Sequence, residues 1–272
     1  MTVNHYENFP VASVLLPSEF RRPVALIYRF AREADDFADE GEFSDTVRLA
    51  RLDAFRQELR SIENGAPPAV PWFEDLAGLI RTHELPVDAF RDLLSAFSQD
   101  VTKKRYADYG EVLDYCRRSA NPVGRLLLVL YGSATPQNLA YSDAICSSLQ
   151  LINFLQDVEV DYQKGRIYLP QDELAQFEIS ESQIAAGDSG GNWPSFMAFQ
   201  VGRTRDLLRS GAPLGRILKG RIGLEMRMII QGGDRILSRI AAVGGDIFRH
   251  RPVLKPHDWV YMMLCSVFAT RI

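Results

Sequence analysis

Apolar residues return every three or four positions along nearly the whole chain, and the alternation of Val, Ile and Thr that marks half-buried strands is almost absent. The pattern predicts an all-α protein. Its first helix starts between Pro17 and Pro23, with Ser18 as N-cap, and runs to about Glu40. Further helices are predicted over about 44–63, 73–83, 87–99, 109–132, 138–162, 192–210, 214–243 and 256–270. Gly65-Ala66-Pro67-Pro68, Leu85-Pro86, Gly132, Gly165, Gly190-Gly191, Gly211 and Gly244-Gly245 supply the turns. No repeat of fixed period is present, which disfavours a solenoid.

Two positions disturb this regularity without ending an element. Pro122 falls inside the apolar pattern from Tyr115 to Tyr131, so it should kink that helix and free backbone carbonyls, as at the border of a cavity. Gly232-Gly233 interrupts Leu224 to Ile240 in a similar way, and close helix packing is an equally good reading there.

Composition narrows the class. The 272 residues contain no Gly/Ser-rich linker or charge block, so one domain, 1–272, is expected. Hydrophobic residues at 46% and charged residues at 24% suit a globule able to bury a large core and line an apolar cavity. A formal net charge of -4 gives no general attraction to nucleic acid, so phosphate binding would need local arginine or metal. Cys116, Cys146 and Cys265 are odd in number and set in apolar helical patterns, the signature of reduced buried thiols in a reducing compartment. Residues 1–17 lack a basic n-region and cleavage site, and no uncharged apolar run approaches membrane-spanning length. A cytoplasmic protein is expected, with peripheral contact at the inner face of a membrane left open.

Candidate chemistry gathers in two acidic segments. In Arg32-Glu33-Ala34-Asp35-Asp36-Phe37-Ala38-Asp39-Glu40, Asp35 and Asp39 are one helical turn apart and share a face. In the segment from Gln150 to Asp161, Gln150, Asn153, Asp157 and Asp161 form a polar stripe down a helix otherwise filled by Leu, Ile, Phe and Val. Two carboxylates at this spacing could hold one Mg²⁺, a hard cation that prefers carboxylate oxygens and bridges them to phosphates. With 20 Asp in the chain, spacing alone carries little weight. Asp88 and Asp92 repeat it at a helix start, where acids complement the dipole and cap, and receive no catalytic role. The other two pairs differ in context, because Arg32 and Arg166 flank them with guanidinium forks that match phosphate oxygens. His5, His83, His250 and His257 show no zinc spacing. There is no Gly-x-Ser-x-Gly elbow, Walker loop or dinucleotide fingerprint, so no nicotinamide cofactor is expected.

The motifs together resemble the squalene and phytoene synthase family over nearly the whole chain. They are Leu15-Leu16-Pro17, the run from Tyr28 to Asp39, Tyr115 to Gly124, and Gln150 to Asp161 with Arg166-Ile167-Tyr168-Leu169-Pro170. Glu7-Asn8-Phe9-Pro10-Val11-Ala12-Ser13 and Ser119-Ala120-Asn121-Pro122-Val123-Gly124-Arg125 make it most similar to the bacterial hopanoid-pathway branch that forms hydroxysqualene. The resemblance implies an isoprenoid-synthase-type helical bundle around a central apolar cavity. It implies Mg²⁺ held by Asp35 and Asp39 from one wall and by Asp157 and Asp161 from the other, with Asn153 beside them. Arg32, Tyr28, Arg166 and Tyr168 would hold phosphate or line the active centre, Phe9 would line an N-terminal pocket, Tyr115 would lie near the reacting carbons, and Gln150 would support the stripe.

The implied substrate is a long-chain isoprenoid diphosphate, and the implied reaction turns presqualene diphosphate and water into hydroxysqualene and diphosphate, with neighbouring pathway enzymes as partners. Asn121-Pro122, with Arg118 and Arg125 on the same helix, departs from the small-residue pair usual in the family. That departure counts against condensation of two farnesyl chains, and water admitted at the kink would capture the cation as an alcohol. Phe30, Phe37, Phe154, Tyr28 and Tyr115 are candidates for cation–π support, although aromatics at helical spacing are more often core. Two alternatives stay open: head-to-head condensation to presqualene diphosphate, squalene or phytoene, and a non-catalytic helical assembly factor.

Overall fold

The computed structural model describes residues 16–268; Phe9 and Leu15 lie outside them. Every regular element among the described residues is an α-helix, as the apolar spacing requires. They are α1 (Ser18–Asp39), α2 (Asp45–Glu63), α3 (Trp72–His83), α4 (Val87–Thr102), α5 (Tyr109–Ser119), α6 (Asn121–Leu130), α7 (Pro136–Gln156), α8 (Val158–Gln163), α9 (Gln171–Gln176), α10 (Glu181–Ala185), α11 (Trp193–Gly211), α12 (Leu214–Ile217), α13 (Gly220–Ala242) and α14 (Pro256–Phe268).

Two large apolar clusters hold the bundle. One joins α1 to α4, where the rings of Phe30, Phe55, Phe73 and Phe90 meet, with Phe30 in contact with the other three at 5.0–6.0 Å between centroids. The other wraps α7, α11 and α13 around Ile152, Leu155, Trp193, Phe196, Leu208 and Leu237. Burying a side chain of this size contributes about 1.5–3 kcal/mol each, which is what keeps the helices together. Between the two lies a small aromatic cluster of Tyr106, Tyr115, Phe154 and Tyr168. Of the cation–π candidates on α1, Phe30 has no exposed surface and is a packing residue, whereas Phe37 is half-buried, rests on Phe55 and has the Arg51 guanidinium 5.7 Å from its ring centre.

Three long predicted helices are divided. The predicted 109–132 helix breaks at Ala120, which leaves helical geometry at φ -120°, so that Pro122 lies in the first turn of α6, where its missing N–H costs nothing. The predicted 138–162 helix breaks at Asp157 (φ -110°, ψ 18°), although Asp157 N still donates to Asn153 O at 2.9 Å and Asp161 N to Asp157 O at 2.8 Å. The predicted 214–243 helix splits into α12 and α13, with Gly220 at φ +60° at the start of α13. Gly232-Gly233 does not interrupt α13. A Cβ on Gly233 would stand 3.1–3.2 Å from Ile152, Leu208 and Leu149, so the position serves close packing.

At the first helix the cap is Pro17 rather than Ser18, with no side-chain bond to the helix end. Likewise Pro86, not an aspartate, precedes α4; Asp88 lies in its first turn and pairs with Arg91. The three cysteines are free, but only Cys116 is fully buried; Cys146 and Cys265 are half-buried. A contact outside the helices fixes the segment that carries Arg166 and Tyr168. Residues 104–107 run beside 167–172 through Ile167 N to Lys104 O (3.0 Å), Gln171 N to Tyr106 O (2.9 Å) and Asp172 N to Ala107 O (3.0 Å).

At the other end of the chain, Asp258 anchors α14. Its side chain has no exposed surface and accepts from Arg235 Nε (2.7 Å), Arg239 Nη2 (2.5 Å) and Lys255 N (2.7 Å). These donors outweigh the burial that opposes ionisation and bring the carboxyl down to about 2. Because the folded value lies below the unfolded one, the stabilisation is present above about pH 4 and is lost as pH falls through about 2. Asp258→Asn should lower the unfolding free energy in urea at pH 7 by roughly 2 kcal/mol, the value of hydrogen bonds to a charged group between partly exposed partners. The difference from the parent should shrink between about pH 4 and pH 2. An unchanged urea midpoint at neutral pH would contradict it.

Candidate active site

The end of α1 meets the turn after α8 across the bundle. Asp39 closes α1, and its carboxylate takes Arg166 Nη2 at 2.6 Å and Lys164 Nζ at 2.9 Å, both from the turn after α8. Two acidic segments more than a hundred residues apart in sequence thus share one cleft. On α1, Arg32 forms an ion pair with Asp36 at 2.7 Å and reaches Asp35 at 3.6 Å, with Tyr28 one turn before it and close enough to bear on its charge. On the opposite wall Gln150 and Asn153 are half-buried on α7, two turns and one turn before Asp157, and Asp161 is half-buried on α8. Asp157 pairs with Arg251 Nε at 2.7 Å.

The electrostatics of the cleft are those of an anion cluster short of cations. Burial and the neighbouring Asp39 raise the Asp35 carboxyl to about 7. Burial and the charge of Asp157 raise Asp161 to about 8. Asp39 goes the other way: burial would raise it, but the hydrogen bonds and charges of Arg166 and Lys164 hold it below the usual carboxylate range. Asp35 keeps 38% of its side-chain surface open although it sits deep among protein atoms, as a residue on a cleft wall does. No three His, Cys, Asp or Glu side chains among the described residues close a metal cage. Open carboxylate pairs of this kind suit a cation that completes its shell with phosphate and water.

Tyr115 and Tyr168 come together in the aromatic cluster beside this cleft. Tyr168 stacks on Phe154 at 4.0 Å and 5°, and on Tyr106 at 5.5 Å and 27°. With a ring on either side, Tyr168 offers an edge and a hydroxyl rather than a face. Both hydroxyls donate to Asp100, Tyr115 at 2.5 Å and Tyr168 at 2.8 Å. Behind the cluster a small pocket is lined by Tyr109, Phe154, Tyr168, Gln200, Arg203 and Thr204, with room for about one water. It is not a chamber for a long apolar chain.

Sequence reasoning missed Asp100, Lys164 and Arg251. Asp100 had a signal: it falls on the face of α4 that buries Leu93 and Phe97, where a carboxylate needs a partner. Lys164 is adjacent to the Arg166 motif. Arg251 had none, since nothing local marks a contact with Asp157 from 94 residues away. The departures at the kink are satisfied internally: Asn121 accepts from Ser147 at 2.9 Å, Arg118 is tied to Asp114, Ser95 and Gln99, and Arg125 pairs with Asp143.

An all-α fold whose facing helix ends carry paired aspartates among arginines is that of an enzyme of the isoprenoid-synthase type. A model of the squalene/phytoene synthase family matches residues 2–258, and the chain belongs to that family. It is similar to the hydroxysqualene synthase of Rhodopseudomonas palustris, 38% identical over 261 residues that cover 93% of this chain and 85% of that one. Similarity to the hydroxysqualene synthase of Zymomonas mobilis is 39% over 234 residues, 82% of this chain and 75% of the other. Among solved structures it is similar to squalene synthase HpnC from Alicyclobacillus acidocaldarius, with a TM-score of 0.81 and 35% identity over 88% of this chain and 90% of that one.

If the cleft holds phosphate, Arg166→Lys should weaken binding of inorganic pyrophosphate by about tenfold, because a point charge cannot replace a bidentate fork. Isothermal calorimetry with pyrophosphate and Mg²⁺ reads this directly. Equal affinities in the two proteins would remove Arg166 from the phosphate site.

Proposed function

We propose that this enzyme ionises presqualene diphosphate in a magnesium-dependent step and captures the rearranged cation with water, releasing hydroxysqualene and diphosphate. The observation that carries the reading is the cluster in which Lys164 and Arg166 stand between Asp39 and Asp161, with Asp35 and Arg32 beside Asp39 and Asp157 beside Asp161. The similarity to two hydroxysqualene synthases supports the choice of reaction.

The residues fit magnesium. The donors are all carboxylate oxygens, and burial together with their mutual repulsion pushes Asp35 and Asp161 up toward neutrality, a cost that a bound cation would relieve. Asp35, Asp39, Asp157 and Asp161 would hold it, and when bound it supplies positive charge to the leaving diphosphate. Arg32, Lys164 and Arg166 grip phosphate oxygens by charge-assisted hydrogen bonds, placed before the bond breaks so that little reorganisation is needed. As the C–O bond to diphosphate breaks, its electron pair leaves with the phosphate oxygen. The cation rearranges against the apolar walls, with the aromatic cluster of Phe154, Tyr115 and Tyr168 beside the charged cleft. Water oxygen then bonds to the cation and its proton passes to the released diphosphate.

A substrate so apolar would be drawn from a membrane surface. No helix among the described residues is long and apolar enough to cross one. A second reading, condensation of two prenyl diphosphates, is favoured by the similarity to the Alicyclobacillus squalene synthase.

Purified protein with Mg²⁺, given farnesyl diphosphate and presqualene diphosphate separately and without reductant, should form hydroxysqualene from the second alone. Asp157→Ala should reduce turnover by about a hundredfold or more. Consumption of farnesyl diphosphate would replace the proposal with the condensing reaction.

A further inference from the structure

Asp100 is the buried acid that the proposed reaction does not use. It stands near the end of α4 with 3% of its surface exposed, among Ala96, Phe97 and Val101. An ionised carboxylate in such a place is costly unless its lone pairs are filled. Two phenols each supply one hydrogen bond: Tyr115 Oη to Oδ2 and Tyr168 Oη to Oδ1. One side chain therefore joins α4, α5 and the segment after α8, and fixes both tyrosine rotamers. With each phenolic proton directed at Asp100, each phenol keeps its oxygen lone pairs for other partners.

The same carboxylate bears on Arg166. Arg166 lies two residues before Tyr168, keeps 7% of its side-chain surface exposed, and feels the negative charge of both Asp39 and Asp100. Of these two anions only Asp39 lies in the proposed cation set, so its contact with Arg166 is exchangeable on loading. Asp100 has no such second task. Its ionised carboxylate, held by the two phenols against the burial that raises it to about 6, favours Arg166 in the interior, beside the phosphate site.

We propose that Asp100 is a positioning residue that holds Tyr115, Tyr168 and Arg166 as one preorganised unit beside the diphosphate site, an inference that rests on the proposed function. Preorganisation of this kind acts on the turnover step and on the grip on phosphate, whereas a purely structural hydrogen bond acts on stability alone.

The test is a mutant cycle of Asp100→Asn, Tyr115→Phe and Tyr168→Phe, alone and combined. It is read by kcat and KM on presqualene diphosphate, by calorimetric binding of inorganic pyrophosphate with Mg²⁺, and by urea unfolding. Losing a hydrogen bond to a charged group corresponds to about tenfold to a hundredfold. Asp100→Asn should lower kcat by that factor and weaken pyrophosphate binding about fivefold to tenfold. In the Tyr115→Phe/Tyr168→Phe background, adding Asp100→Asn should lower kcat by less than about threefold, because the phenols it orients are already gone.

A folded Asp100→Asn protein that loses stability but keeps kcat and pyrophosphate affinity within about twofold would overturn the proposal. So would losses in kcat that simply multiply across the cycle. Where Asp100→Asn does not fold, the two Phe variants decide: kcat within about twofold of the parent in both would also overturn it. If the parent turns over neither presqualene nor farnesyl diphosphate, the proposed function fails by itself, and pyrophosphate affinity still reports whether Asp100 positions Arg166.

Discussion

Asp39 belongs to the first helix and Arg166 to the turn after the eighth, yet Oδ1 and Nη2 stand 2.6 Å apart with Lys164 Nζ on the other oxygen at 2.9 Å. Side chains of 17% and 7% exposure in such a contact are largely withdrawn from water, and Asp39 Oδ1 and Arg166 Nε have no hydrogen-bond partner beyond the ion pair. Removing either partner would strand a charge in the interior, so the two walls of the cleft are held at one separation. Everything else in the site takes its place from that closure. Asp35 is set by Asp39 one helical turn away, Asp161 by Arg166 through a short tight turn, and Tyr168 by Arg166 through the extended segment clipped to residues 104–107.

The helix ends supply what the helix interiors could not. A continuous helix through Asp157 would keep Asp157 and Asp161 strictly in line, but the change of direction at Asp157 ends α7 and begins α8. The break at Ala120 acts similarly on the other side of α7, where α6 starts with Asn121 turned to Ser147. A bundle of uninterrupted amphipathic helices would bury its apolar faces equally well and leave no cleft between them. Here the breaks fall where polar side chains enter the bundle, and the uninterrupted stretches of α2, α4 and α11 build core.

How much was legible beforehand depends on whether a residue's role is local. Spacing of apolar residues is a local property, so the helices and their class could be read, as could the shared faces of Asp35 with Asp39 and of Gln150 with Asn153. Helix breaks at Ala120 and Asp157 were not: Pro122 tolerates either a kink or a fresh start, and only packing of α6 against α1, α4 and α7 selects the second. The short helices α9 and α10 are too brief to carry a periodic signal. Pairings such as Arg251 with Asp157 depend on the whole topology. Asp100 stands between these cases, because a carboxylate in phase with Leu93 and Phe97 announces that it needs a partner without naming Tyr115 and Tyr168.

Charge balance in the cleft then bears on how binding and reaction are joined. Asp35, Asp39, Asp100, Asp157 and Asp161 face Arg32, Lys164, Arg166 and Arg251, and the balance is uneven across the site. Asp39 and Asp157 hold guanidinium partners at 2.6–2.7 Å, while Asp35 and Asp161 carry the repulsion as raised affinity for protons. The arrangement separates the carboxylates of each pair into one held closely by an arginine and one that is not. A cation entering between the members of a pair would relieve the second carboxylate and loosen the arginine on the first. On the proposed function, each loosened arginine would gain freedom as diphosphate arrives, so cation and diphosphate binding should reinforce each other. Such cooperative loading needs no helix to move, since the exchange is among ion pairs and not among packed cores.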